Sequence, residues 1–324
     1  MERISFELIN KIREHIDRTE KHATLLNDLQ KFYRVASSLD VLEDTSYAVE
    51  YYVDSKYPDD IKGRYLYIYG LMQALFVQLD AANGISVALL NEEINFKEKY
   101  PKAFSFREAR NDVTGHPTLR GRNNFVYLTQ MELFKGSFSY FKENSETEES
   151  KYITIDVEEV INDVSSCVND ILQKTIDDLE KEFKEFIELH RDRKMKEIFE
   201  LLTYAEEKAL SDEHLTEWGY NATKDMVKKC KEEVVKRYGT IKTIDAFNYL
   251  FKDVDELYAL LDEAILQIPN DYRSRIKRYL IEILFVKLGE LEHQCEVIDA
   301  YFENYGDEPT FSEEEKCEIK IEFV

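Results

Sequence analysis

At 324 residues the chain is long enough for one large or two ordinary domains, so a sizeable core is within reach. Glycine and proline are scarce while Glu, Lys, Leu and Ile are plentiful, a balance that suits helices and argues against disorder or a β-sandwich. The formal charge of −23 repels polyanions from the molecule as a whole, so a nucleic-acid role requires a locally basic patch.

The four cysteines, Cys167, Cys230, Cys295 and Cys317, are far apart and form no Cys-x-x-Cys pair. Neither a zinc ribbon nor a disulfide framework is expected from that spacing. Met1-Glu2-Arg3 leads into no apolar signal core, and the apolar run Tyr65 to Leu79 is interrupted by Gln73 and Gln78 and closed by Asp80. The expectation is a reduced, cytoplasmic protein with no membrane span.

In chain order, residues 3–56 read as helix. Ile4, Leu8, Ile12 and Ile16 share one face, and Leu25, Leu26, Leu29, Phe32, Tyr33 and Val35 continue it, with 40–52 as a candidate separate short helix. Pro58-Asp59-Asp60 punctuates the chain. From Arg64 to Leu90 apolar residues cover nearly the whole helical circumference, which predicts a helix buried on most sides. Gly70, Ala74, Ala81 and Ala82 would let a neighbouring backbone approach, whereas Gln73, Gln78 and Asp80 need partners if buried.

A helix is predicted from about Ala103, after Pro101, carrying Arg107 and Arg110. The runs Asn124–Phe134, Ser137–Phe141 and Tyr152–Asp156 alternate β-branched or aromatic residues with polar ones, with Lys135-Gly136 as a turn, and predict a small antiparallel sheet. A long amphipathic helix is expected from Val157 to about Lys208, then helices over 224–238, 244–268 and 272–305. Ser312-Glu-Glu-Glu315 has the form of a capping box. The alternation in Glu318–Val324 reads as a strand that adds to the 124–155 sheet or pairs with a second subunit.

Most site types are missing. No Gly-rich loop precedes Lys-Ser/Thr, and neither His-Glu-x-x-His nor Gly-x-Ser-x-Gly occurs. What stands out is Arg110-Asn111-Asp112-Val113-Thr114-Gly115-His116-Pro117. Pro117 biases His116 away from helical geometry, so a helix should end here, and a break at Gly115 would swing His116 back toward Arg110. Residues 97–122 hold seven basic side chains (Lys97, Lys99, Lys102, Arg107, Arg110, Arg120, Arg122) against three acids (Glu98, Glu108, Asp112). A further reading is purely structural, with Arg110 bridging Glu108 or Asp112 and His116 capping a helix.

Arg110-Asn111 followed after four residues by His116 resembles the signature of HEPN domains, and Tyr69 to Ala81 is similar to the central helix of some bacterial HEPN-like proteins. The resemblance covers roughly residues 1–205. It implies a mainly α fold, a HEPN-like up-and-down helical bundle in domain 1–208 with a small antiparallel β insertion at about 124–156. Residues 209–324 lie outside the resemblance and read from their own pattern as a helical accessory domain ending in a strand. The resemblance further implies a homodimer with two Arg/His pairs in one cleft and metal-independent endoribonuclease activity of a defence or toxin type, with no cofactor.

Under that resemblance His116 is the general acid or base, Arg110 stabilises charge on the phosphorane and Asn111 positions it. Lys102, Arg107, Arg120 and Arg122 contact RNA. Thr118 stands where one antitoxin-modified subgroup has a tyrosine, so that regulation is not implied. The alternative within the family is a catalytically inactive module that binds a nucleotide or a protein partner of a defence or toxin–antitoxin system.

Overall fold

Helix α1 (Phe6–Ile16) begins where the Ser5 side chain accepts a hydrogen bond from the Leu8 amide at 3.4 Å. A computed structural model describes residues 1–115, 118–210, 213–242, 244–267 and 270–305. The single helix expected over 3–56 is three helices, with α2 (Thr19–Leu26) and α3 (Leu29–Asp54) following α1. Asp28 caps α3 by accepting from the Lys31 amide at 3.2 Å, and such short polar side chains stop one helix and start another without disturbing the apolar spacing around them. Residues 40–52 lie inside α3 and make no separate helix.

Helix α4 (Ile61–Leu90) starts at Asp60, whose side chain accepts from the Gly63 amide at 2.9 Å, and stops at Asn91 in the left-handed region, φ 55°. It runs antiparallel to α3. At one end Tyr52 and Tyr67 face each other with ring centroids 5.8 Å apart; at the other, Gly84 lies against Ser38. A Cβ at Gly84 would stand 2.5 Å from Ser38 Oγ, so this glycine is what lets the two helices approach. Gly70 makes no such approach: nothing lies within 4 Å of its would-be Cβ. By length and composition α4 could cross a bilayer, and 56% of its apolar window is buried within the protein.

After α5 (Phe96–Lys99) and α6 (Pro101–Arg110), the last helical turn widens into a π-helical turn, Asn111–Gly115. The three-stranded antiparallel sheet follows as expected, β1 (Asn124–Leu128), β2 (Ser137–Asn144) and β3 (Ser150–Asp156), in the order β1-β2-β3. Val126, Phe138 and Tyr140 are buried on its inner face. Asp156 then caps α7 (Val157–Arg191) through the Glu159 amide at 2.9 Å. The expected helix to Lys208 stops at Arg191, and a short 3₁₀ turn (Lys196–Phe199) precedes α8 (Leu202–Ala209). Three further helices complete the described chain, α9 (Glu213–Tyr238), α10 (Asp245–Gln267) and α11 (Asn270–Asn304). The architecture is mainly α with a small antiparallel β insertion. The expected terminal strand 318–324, the capping box at 312–315 and Cys317 lie outside the described residues.

The chain divides into two compact units. The first holds residues 1–17 and 28–180, the second 18–27 and 181–324. The division falls inside α7 and assigns α2 to the second unit, whereas the sequence reading set the boundary at 208/209. The apolar stripe of α7 runs unbroken past residue 180, so periodicity carries no mark of the change. The second unit packs Phe199, Phe247, Phe251 and Leu288 around two buried thiols, Cys230 and Cys295, whose sulfurs are 3.7 Å apart. A buried guanidinium, Arg237, is held there by Glu233 at 3.0 Å, by the Arg193 carbonyl and by the face of Phe302.

Candidate functional site

The Arg110 guanidinium is gripped from three directions. Its Nη2 donates to Gln73 Oε1 at 2.6 Å, its Nη1 donates to Asn111 Oδ1 at 3.1 Å, and its plane lies over the ring of Phe76, 4.1 Å from the centroid. Gln73 and Phe76 come from α4, so a polar residue in an otherwise apolar helix is what meets the arginine. Arg110 Nε is buried and has no hydrogen-bond partner among the described residues.

The π-helical turn explains how the following residues reach the same place. Thr114 Oγ1 donates to the Arg110 carbonyl at 3.0 Å, and the widened turn brings Gly115 against the arginine. A Cβ at Gly115 would lie 3.2 Å from Arg110 Nη1 and 3.4 Å from Asn111 Oδ1. A side chain at this position would need the guanidinium to give by a few tenths of an ångström, and π turns recur at functional sites. His116 and Pro117 lie outside the described residues.

Four of the remaining basic residues, Lys99, Lys102, Arg107 and Arg120, are engaged by carboxylates. Arg107 Nη1 donates to Asp80 Oδ1 at 2.6 Å and its guanidinium lies over Phe76 and Phe96. Lys102 Nζ reaches Glu159 and Asp163, each at 3.3 Å. Lys174 and then Lys99 converge on Glu92 and hold its carboxyl down at about 2, far below the usual carboxylate range. Arg120 donates to the Glu108 carboxylate at 2.6 Å, to the Glu108 carbonyl at 2.5 Å and to Asp112. Arg122 is exposed. The surplus of four positive charges counted along 97–122 is therefore largely met in the fold by Asp80, Glu92, Glu159 and Asp163, which lie outside that stretch.

Asp112 is the organising carboxylate beneath the turn. It is buried and receives Lys142 Nζ at 2.9 Å, the Tyr140 hydroxyl at 3.4 Å and Arg120. It ties β2 to the π turn, while burial first, and then the Asp112 charge, push the Tyr140 hydroxyl well above its ordinary range. The bridge to Glu108 and Asp112 that the sequence suggested for Arg110 is made instead by Arg120. Sequence reasoning missed Phe76, Lys142 and Tyr140 as parts of this network, and Asp112 was visible only as one acid among three.

The structure thus brings Arg110, Asn111 and Gly115 together, and sets Arg107, Lys102 and Arg120 in separate ion pairs around them. A stacked guanidinium on a half-buried turn, with the Asn111 side chain beside it, can receive an oxyanion such as a phosphate. Among the described residues no group of three or more His, Cys, Asp or Glu side chains is arranged to hold a metal ion. No family model, curated protein or solved structure matches the chain.

Proposed function

We propose that this chain is a HEPN-like endoribonuclease of a defence or toxin-type system. His116 moves the proton of the ribose 2′-hydroxyl, Arg110 stabilises the charge that develops on the phosphorane, and Asn111 fixes the guanidinium. The single observation that carries the reading is the return of the chain at Gly115, the neighbour of His116, toward Arg110, so that a Cβ there would stand 3.2 Å from Arg110 Nη1. Gln73 and Phe76 support it, because a catalytic guanidinium works best when its direction is set before substrate arrives. The imidazole's ordinary pKa near 6.5 suits proton transfer at cellular pH. A second copy of the chain would supply a facing Arg/His pair, and the working location would be the cytoplasm.

The test is cleavage of a labelled RNA in EDTA, with 2′,3′-cyclic phosphate ends as the product. His116→Ala should lower the rate on the order of 10²–10⁴-fold, and Arg110→Ala roughly 10²-fold or more. Undiminished cleavage by His116→Ala would end the assignment.

A second reading is favoured by the ion pairs around the turn. With Arg107, Lys102 and Arg120 already matched by carboxylates, little free positive charge is left to hold a long polyanion. The chain would then be a catalytically inactive module that binds a nucleotide or a protein partner. It predicts intact RNA in the same assay, together with nucleotide binding that Arg110→Ala weakens.

A further inference from the structure

The outer face of the sheet carries three aromatic rings in a row. Tyr127 on β1 stands opposite Phe141 on β2, and Phe141 stands opposite Tyr152 on β3. All three are exposed, at 55%, 39% and 49%, and the rings of Phe141 and Tyr152 are 4.8 Å apart. Strand alternation buries Val126 and Tyr140 on the other face, so these rings are not needed for the core. A solvent-facing sheet surface is ordinarily polar, and a contiguous aromatic strip in that position marks a binding surface.

The charge around the strip is negative. Glu132 accepts a hydrogen bond from the Tyr152 hydroxyl, and Glu143 lies two residues beyond Phe141 on the same face of β2. The lysines of the sheet region are directed elsewhere. Lys142 is bound to Asp112, Lys135 donates to the Val53 and Ser55 carbonyls at 2.7 and 2.8 Å, and Lys151 pairs with Glu149 at 3.9 Å. Strand β3 is an edge of the sheet, with one neighbour.

We propose that this face docks an extended, basic segment of a partner protein. Arginine or lysine side chains at alternate positions would lie over Tyr127, Phe141 and Tyr152, with Glu132 and Glu143 balancing their charge, and the segment's backbone would run beside β3. The same rings would suit stacked nucleotide bases, but a phosphate backbone there would meet two carboxylates and no unpaired lysine of the sheet. Charge decides for the cationic peptide.

The experiment uses the full chain and a fluorescent peptide of alternating Arg and Thr, about eight residues long to match a strand. Fluorescence anisotropy should show saturable binding, weakened about two- to fivefold by each of Tyr127→Thr and Tyr152→Thr and more by the double variant. Glu132→Gln should weaken it also, whereas Glu7→Gln on α1 should not, which separates this face from general attraction to an acidic protein. Circular dichroism matching that of the parent chain confirms that the threonine variants keep their sheet. Absence of saturable peptide binding overturns the proposal. So does peptide affinity unchanged in the double variant, or an oligouridine that loses affinity in the double variant while the peptide does not.

Discussion

Gln73 Oε1 accepts a 2.6 Å hydrogen bond from Arg110 Nη2, and this one contact joins the turn that carries the candidate site to the central helix of its unit. The same guanidinium stacks on Phe76, so α4 fixes both the direction and the plane of the arginine. The expected cost of Arg110→Ala is about 1–2 kcal/mol of unfolding free energy, from the lost stacking and hydrogen bonds. Gln73→Ala should cost about 0.5–1 kcal/mol, since its side chain is exposed. The two losses should add to more than the double variant shows, because each removes the same contact. Urea unfolding of the three variants measures this, and strict additivity would mean that Gln73 does not hold the arginine.

Asp112 offers a sharper case. Three groups, Arg120, Lys142 and the Tyr140 hydroxyl, converge on one buried carboxylate. Removing its charge leaves the partly buried Lys142 ammonium without its counterion and Arg120 with Glu108 alone. Asp112→Asn should therefore destabilise the first unit by about 3 kcal/mol, a typical figure for breaking a buried ion network from one side. A change within about 0.5 kcal/mol, the range of an ordinary surface substitution, would show that solvent reaches these groups more freely than the geometry indicates.

These two residues also show what could be read from the sequence. Gln73 is conspicuous, a polar side chain in an apolar helix, which would need a partner if buried. Which partner it has did not follow, because residues 37 positions apart are brought together only by the packing of α6 on α4. Asp112 carried no signal, since a buried hub and a solvated acid look alike in a chain with 66 acidic residues. The sheet was legible because its alternation is local, and α4 because its apolar circumference is. The breaks at residues 17–18 and 27–28 were not, because the stripe of Ile and Leu continues through them. The basic surplus over 97–122 was read from neighbours in sequence, and most of the acids that answer it come from α4, α7 and the loop holding Glu92.

The thiols should be inert in the folded protein. Burial pushes the Cys167 thiol up to about 12, and the contact of Cys295 with Cys230, together with burial, raises the Cys295 thiol as well. Since the thiolate is the reacting form, iodoacetamide at pH 8 should leave both unmodified in native conditions and modify both in urea. Peptide mapping by mass spectrometry distinguishes the sites. Native labelling of Cys295 at the unfolded rate would contradict the packing of α9 against α11.

The second unit carries a carboxylate whose titration should be visible in stability. Glu20 lies on α2 with its carboxyl raised from 4.5 to about 6, chiefly by burial, with its own backbone hydrogen bond and Arg18 opposing the rise. A raised carboxylate means that the folded state binds its proton more tightly than the unfolded state does. Its charged form therefore weighs against folding above about pH 6, and that burden is lifted progressively as pH falls from about 6 to 4.5. A rise of this size corresponds to roughly 2 kcal/mol at neutral pH. Glu20→Gln keeps the shape and removes the charge, so it should stabilise the chain at pH 7.5 by up to that amount and lose its advantage by pH 4.5. Urea unfolding of both proteins across this range reads the difference directly. An advantage that stayed constant with pH would have to come from packing or hydrogen bonding, and the buried charge would not be its source.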